Sequence, residues 1–370
     1  MKFILNKKNI IESIKTCNSL IDSNIISPFI QGMLLQAKNN KITIITSNGF
    51  VSCKSEIKEN VKIIEEGSVL IKSKLFATII TKLKNEDILF EKVDNSVLKI
   101  KTESFDSNIN IMDDEQYPNI NFDYSSWEKI ELEPIIFKSI LTKIVHSVSQ
   151  NKEKISILNG VFIESKDGKL HIVGTDSYKL SYITYDFDGP SFKITIDSSV
   201  FYLLSDIVDF KENVHLYLSD NNLMIKLGNF VFSTKIMDGD YPNIYDIIKS
   251  PRDSWLVVDK KEMMDALERG IVIAMVEKKP IVKLNMKEDS IIVSFKSIEL
   301  GNSDEIIKVK EFSGSNLSLM LNASFLISLL KVVDSNEIKL SMSKENRPMI
   351  LTDKKEENFL QLILPLRNSY

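Results

Sequence analysis

The chain has 370 residues, 43% hydrophobic and 26% charged, with a formal net charge of -4, an ordinary make-up for two or three globular domains with real cores. Two cysteines, Cys17 and Cys53, and three scattered histidines exclude a disulfide framework and supply no metal-ligand spacing. No apolar run reaches the roughly 18 residues of a membrane span, and charge resumes too soon after Met1-Lys2-Phe3-Ile4-Leu5 for a secretory signal, so a cytoplasmic protein without a membrane partner is expected.

In chain order, residues 7–21 read as an amphipathic helix, with Ile10, Ile11, Ile14 and Leu20 on one face. Ser27-Pro28 ends it. Strands are expected at 32–37, 41–45 and 50–57, the first two joined through Asn39-Asn40. A second helix starts at Ser73, read as its N-cap, and places Phe76, Ile79, Ile80 and Leu83 at i, i+3, i+4 and i+7. Strands at 87–92, 97–102 and 108–112 lead to Tyr117-Pro118.

The same order then recurs. Glu133-Pro134 opens a helix with proline in its first turn. Asp167-Gly168 is a hairpin signal between strands at 161–164 and 170–173. A helix at 198–210 precedes strands at 214–218, 223–227 and 231–236, which end at Tyr241-Pro242. After Ser250-Pro251 come a helix at 260–275 and strands at 281–286 and 291–295. A helix at 324–333 follows, then strands at 337–342, 349–352 and 359–364.

Proline cannot donate to a ladder and so closes strands. Pro118 and Pro242 lie 124 positions apart, and Pro365 follows 123 further on. Phe76, Phe201 and Phe325 take the same place in the second helix of each third, 125 and 124 apart. Such a period is far beyond solenoid repeats of roughly 20–50 residues and indicates whole domains. The expected fold class is α+β, with three similar domains at 1–124, 125–252 and 253–370. Each has two helices on antiparallel sheets, with domain edges paired to neighbours.

Several short motifs stand in order on this frame: Met1-Lys2-Phe3, Asn159-Gly160-Val161-Phe162, Gly174-Thr175-Asp176-Ser177-Tyr178-Lys179-Leu180, Asp238-Gly239-Asp240-Tyr241-Pro242 and Leu364-Pro365-Leu366-Arg367. On them the whole chain resembles the bacterial sliding clamps, the beta subunits of DNA polymerase III. The resemblance implies a DNA-clamp fold of three clamp domains and a head-to-tail homodimeric ring around duplex DNA. It implies a processivity factor with no catalytic site and no cofactor. Its partners would be duplex DNA bound without sequence preference, the polymerase III alpha subunit, the clamp loader and other proteins carrying a clamp-binding motif.

The residues agree that no catalytic constellation is visible: no glycine-rich phosphate loop, no metal spacing and no Ser-His-Asp set. Asp113, Asp114 and Glu115 read as a solvated turn rather than a cation site. Lysines carry the DNA reading. Lys72, Lys74, Lys82 and Lys84 stand in a stretch with no acid between residues 72 and 84. A net negative charge does not oppose DNA binding if such faces are segregated, because phosphates respond to the local field. The bland alternative is a solvated helix face. The resemblance assigns DNA contacts to Lys7, Lys8, Lys15, Asn24, Lys72, Lys82, Lys84, Lys138, Lys143, Gln150, Lys152 and Lys261. The helix at 198–210 carries Asp206 and Asp209 and no base, with Ser198-Ser199 where relatives are often basic.

The resemblance also implies a peptide groove lined by Leu158, Thr175, Ser177, Tyr178, Lys179, Leu180, Pro242, Ile247, Leu362, Leu364, Pro365, Leu366 and Arg367. An extended peptide with leucine or phenylalanine anchors suits such an apolar slot. The bland alternative is interdomain core. Ser177, Tyr178 and Lys179 replace the usual glycine, histidine and arginine. A ring interface is expected from Lys74, Ile79, Leu83 and Phe105 against Glu268, Val272 and Ile273 of a second copy. Two other readings stay open: a peptide-binding scaffold that does not encircle DNA, and a hydrolase whose site escapes sequence inspection.

Overall fold

The alternating segments pair as antiparallel strands, and the amphipathic helices lay their apolar stripes against them. The computed structural model describes residues 1–21, 27–150, 156–205, 212–275, 280–343 and 347–366. They divide into two units, Met1–Phe137 with Ser199–Ile236, and Lys138–Ser198 with Met237–Tyr370.

In the first unit the strand Lys2–Asn6 runs directly into helix α1 (Lys7–Ser19). Asn6 caps it, its side chain accepting from the Lys8 amide at 3.2 Å. Ile10, Ile14 and Cys17 form its buried stripe. Helix α2 (Ser73–Lys82) packs beside it and buries Phe76, Ala77 and Ile80. Ser73 is the first helical residue rather than the N-cap, which is Lys72. The Ser73 hydroxyl is committed elsewhere, donating to Asn18 Oδ1 of α1 at 2.8 Å.

A five-stranded sheet runs in the order Lys62–Glu65, Lys2–Asn6, Asp87–Lys92, Val97–Lys101, Asp106–Asn110. An eight-stranded sheet runs Glu128–Leu132, Val214–Leu218, Asn222–Leu227, Phe230–Lys235, Val51–Ile57, Lys41–Ser47, Gly32–Lys38, Gly67–Lys72. At its centre Val51–Ile57 pairs with Phe230–Lys235, and Cys53 stands opposite Phe232. Strands from the first and central thirds of the sequence therefore share one sheet, which removes an edge from each. Helix α3 (Pro134–Ser139) opens on its proline and continues as a π turn at Ile140–Ile144 and a 3-10 turn at Val145–Ser147. Phe137 of α3 meets Phe201 of helix α4 (Ser198–Ser205), their rings 5.5 Å apart. The remainder of the helix expected at 198–210, including Asp206 and Asp209, lies outside the described residues.

In the second unit one sheet has twelve strands. Its order is Lys193–Asp197, Gly160–Lys166, Lys169–Thr175, Lys179–Asp186, Phe359–Ile363, Met349–Asp353, Glu337–Met342, Ser254–Asp259, Gly301–Ser313, Ser290–Ser297, Ile281–Met286, Leu317–Asn322. Asp167 and Gly168 both take positive φ, 54° and 72°, as the two-residue hairpin demands. The central and last thirds join where Lys179–Asp186 pairs with Phe359–Ile363, Leu180 opposite Leu362. The short helix α5 (Tyr245–Lys249) lies between Pro242 and the third repeat. Helix α6 (Lys260–Ala274) is capped by Asp259, which accepts from the Lys261 and Glu262 amides at 2.9 and 3.1 Å. Helix α7 (Ala323–Lys331) is capped by Asn322. Among the described residues, no helix is long and apolar enough to cross a membrane.

Candidate functional site

The apolar site is built on the loop before Lys179–Asp186. Thr175 Oγ1 accepts from the Ser177 amide at 3.2 Å and donates to the Lys179 carbonyl at 2.7 Å. Asp176 Oδ1 accepts from the Tyr178 and Lys179 amides at 2.9 and 2.8 Å. This loop forces Ser177 to a φ of 74°, a left-handed conformation that suits the glycine usual there. Residues 364–366 are tied down beside it: the Leu364 amide donates to the Tyr178 carbonyl at 2.9 Å, and the Leu366 amide to the Met320 carbonyl at 2.8 Å.

Leu180 and Leu362 are buried together with Phe162, Val173, Tyr241 and Ile244, and Leu158, Ile248 and Ile350 pack on that cluster. Thr175 is buried as well. Exposed apolar groups lie close in sequence to this floor: Tyr178 at 59% exposure, Ile247 at 42% and Leu364 at 40%. Pro242 is exposed, and Pro365 and Leu366 are half-buried. A buried apolar floor with an apolar rim is what an anchored extended peptide requires. Phe325, which shares the repeat position of the buried Phe76 and Phe201, is only partly buried, its ring 6.1 Å from that of Tyr178. Arg367 lies outside the described residues.

Lys179 does not line the groove. Successive strand residues face opposite ways, so Lys179 turns away from the Leu180 side. It is buried, its ammonium donates to the His146 carbonyl, and it lies 3.9 Å from Asp176 Oδ2. Burial lowers its pKa, and the Asp176 carboxylate only partly opposes that.

The lysines expected to face DNA divide. Lys8 and Lys15 are exposed opposite the buried stripe of α1, and Lys72, Lys82 and Lys84 are exposed on and around α2. Lys138, Gln150 and Lys261 are exposed too. Lys7 is engaged otherwise: its ammonium donates to the Thr81 carbonyl at 2.7 Å and to the Leu83 carbonyl, closing the C-terminal end of α2. Lys143 is a clear correction. It is buried, ion-paired to Glu356 and, at 3.0 Å, to Asp334, and lies 5.3 Å from the centre of the Phe359 ring. Burial alone would lower its pKa, but Glu356 and Asp334 outweigh it and raise it. A lysine so committed fastens the turn after α3 instead of meeting phosphate. Helix α4 exposes Ser199, Tyr202 and Ser205, hydroxyls rather than cations. Asn24 and Lys152 lie outside the described residues. Asp114 turns inward to the Ser68 hydroxyl and, at 3.4 Å, to Lys92.

Two strand edges complete the picture. Asp106–Asn110 ends the five-stranded sheet and pairs only with Val97–Lys101 among the described residues. Phe105, half-buried, sits at its start, and Lys74 is exposed while Ile79 and Leu83 are half-buried on and after α2. In the other unit, the Gly301–Lys308 half of Gly301–Ser313 pairs with Ser290–Ser297 on one side only among the described residues. Around it stand Ile298, Leu300 and Ile306, exposed by 93%, 57% and 75%, with Val272 at 63% on α6. Glu268 is exposed and Ile273 half-buried. Arg269 grips Glu305 with two hydrogen bonds of 3.0 and 2.6 Å, fixing the edge strand to α6. Sequence reasoning missed Ile298, Leu300 and Ile306 because it did not read a strand there.

Comparison with known proteins gives matches along the whole chain. Residues 1–121, 131–243 and 247–367 match the family profiles of the N-terminal, central and C-terminal domains of the DNA polymerase III beta subunit. The beta sliding clamp of Mycoplasma genitalium is 28% identical over 384 residues, spanning 99% of this chain and 100% of its own. That of Bacillus subtilis is 26% identical over 378 residues, with the same coverage. The crystal structure of the Bacillus subtilis DNA polymerase sliding clamp superimposes with a TM-score of 0.93 at 25% identity, covering 100% of this chain and 99% of that one.

Proposed function

We infer, for a chain that belongs to the family of DNA polymerase III beta subunits, the bacterial sliding clamps, that it encircles duplex DNA and tethers the replicative polymerase to it. The family is that of a non-catalytic processivity subunit, so the chain contributes position rather than chemistry. Its closed form is a head-to-tail homodimer, in which the Asp106–Asn110 edge of one copy meets the Gly301–Lys308 edge of the other. Two unpaired antiparallel edges in the first and last thirds of one chain are the observation that carries this reading. They differ in sequence, so the contact is heterologous, and in a two-copy ring each of these two edges finds its complement. The exposed Lys8, Lys15, Lys72, Lys82, Lys84, Lys138 and Lys261 supply a sequence-independent attraction for phosphate. The groove of the second unit takes the clamp-binding segments of the polymerase alpha subunit, the clamp loader and other partners. The domains follow the threefold repeat, 1–124, 125–252 and 253–370, and the protein works in the cytoplasm.

The test is topological. The chain is loaded onto nicked circular DNA with a clamp loader and ATP, and the DNA is then linearised. A ring remains on the circle and slides off the linear form. Equal retention on both forms overturns encirclement. The scaffold reading predicts instead that alanine at Lys72, Lys82 and Lys84 leaves processivity intact.

A further inference from the structure

Ile247, an exposed wall of the groove, is carried by α5, a helix of only five residues with no side-chain cap. So short a helix has little stability of its own, and its position is decided by what it packs on. Ile244 and Ile248 press into the apolar cluster below, and the Ile247 carbonyl at the far end accepts from the Ser250 hydroxyl at 2.8 Å and the Arg252 guanidinium at 3.3 Å. Those bonds stay within the α5 segment; Tyr245 ties it to the sheet. Its hydroxyl donates to Glu164 Oε2, its ring meets His171 edge-on at 5.4 Å and 87°, and Lys166 Nζ lies 5.8 Å from its centre.

Those partners belong to the sheet, not to the groove. Glu164 and His171 are directly opposed in the ladder between Gly160–Lys166 and Lys169–Thr175. His171 Nδ1 lies 2.7 Å from the Tyr182 hydroxyl on the next strand. The Glu164 carboxylate is half-buried, where a charge-assisted hydrogen bond is strong and directional. Burial and that carboxylate hold the Tyr245 hydroxyl protonated far above its ordinary range, so it remains a donor.

We propose that Tyr245 and Glu164 are positioning residues for the groove, locking α5 to the sheet so that Ile247 meets the apolar anchor of a bound peptide. This rests on the groove reading given above. Neither residue needs to touch the peptide; the effect passes through Ile247.

The test uses the full-length chain and a fluorescent heptapeptide with leucine and phenylalanine anchors, its Kd read by anisotropy. Tyr245→Phe keeps the ring packing and loses one hydroxyl, and binding should weaken about fivefold. Glu164→Leu should do the same, while Glu164→Gln, whose amide oxygen still accepts, should stay within about twofold of wild type. That rescue separates a positional role from general loss of fold. The deciding variant is Tyr245→Phe with Ile247→Ala. If Tyr245 acts through Ile247, the pair binds no worse than Ile247→Ala alone, because residues that share one effect are non-additive. Losses that multiply, or a Tyr245→Phe chain that binds like wild type, overturn the proposal. If Ile247→Ala itself binds like wild type, the groove reading fails and takes this inference with it.

Discussion

Burial pushes the His146 imidazole down to about 3 from its ordinary 6.5, and the Lys179 ammonium adds to the effect. Between those values the unfolded chain binds a proton that the folded chain refuses. Stability is therefore complete above pH 6.5 and falls as pH drops toward 3, by about 1.4 kcal/mol per pH unit from this group. His146→Gln should remove that share: the stability gap between wild type and variant, from urea titrations, should narrow by about 2 kcal/mol between pH 7.5 and 5. A gap that ignores pH would show the imidazole is not held neutral. Ser177 offers a second test. At a φ of 74° its side chain is strained, so Ser177→Val should lower stability by about 1–2 kcal/mol, whereas Ser177→Gly should be neutral or better. Thermal unfolding of both variants reads the difference. At this scale the sequence was least legible for lysines. Lys7 and Lys143 were read as surface cations and Lys179 as a groove residue, because buried lysine is rare. What fixes them is remote: the end of α2, Glu356 with Asp334, and the His146 carbonyl. No local pattern announces such partners.

Helix α6 sets propensity against packing. Gly270 stands inside it, where alanine would ordinarily gain about 1 kcal/mol. A Cβ at that position would come within 2.1 Å of the Phe295 ring. Overpacking of that kind loses about 1–3 kcal/mol, so Gly270→Ala should lower the melting temperature despite the better helix former. Adding Phe295→Leu should recover part of it; a stabilised Gly270→Ala would mean the helix has room to shift. Elements with strong periodicity were legible to within a residue or two, such as α1, α2, α6 and the strands Asp87–Lys92, Val214–Leu218 and Ile281–Met286. The losses have one physical source. Gly301–Ser313 begins Gly-Asn-Ser-Asp-Glu, a poor strand by propensity, and is held extended by the Ser290–Ser297 ladder. Lys2–Asn6 and Lys179–Asp186 likewise owe their state to partners far away in sequence, Asp87–Lys92 and Phe359–Ile363. The five residues of α5 were too few to show a period. Leu180 and Leu362, which the resemblance assigned to a groove, do share one buried apolar cluster, whereas Glu164 and Tyr245 belong to no motif.

For the proposed ring the deciding quantity is the strength of the contact between copies, and the proposal puts Ile306 at its centre. That side chain lies on the one-sided half of the edge strand and is 75% exposed, and Ile298 and Leu300 are exposed at the turn that opens the same strand. Apolar groups this exposed on an open edge invite strand addition, and a folded protein tolerates them where a partner covers them. Backbone pairing alone is not selective, so the side chains beside the ladder must supply much of the affinity. Ile306→Asp places a charge in the centre of that contact and leaves every intramolecular ladder bond in place. Centre-of-interface changes of this type lose about 2 kcal/mol or more, which is at least thirtyfold in the dimer constant. Light scattering across a dilution series should thus find wild type as a two-chain species at concentrations where Ile306→Asp is a single chain. The variant should keep the wild-type melting profile of each unit and its peptide affinity, because the groove lies elsewhere in the second unit. It should fail to remain on nicked circular DNA, since an unclosed ring has no topological hold. Two-chain mass retained by Ile306→Asp would move the contact away from this edge and with it the geometry by which the ring closes.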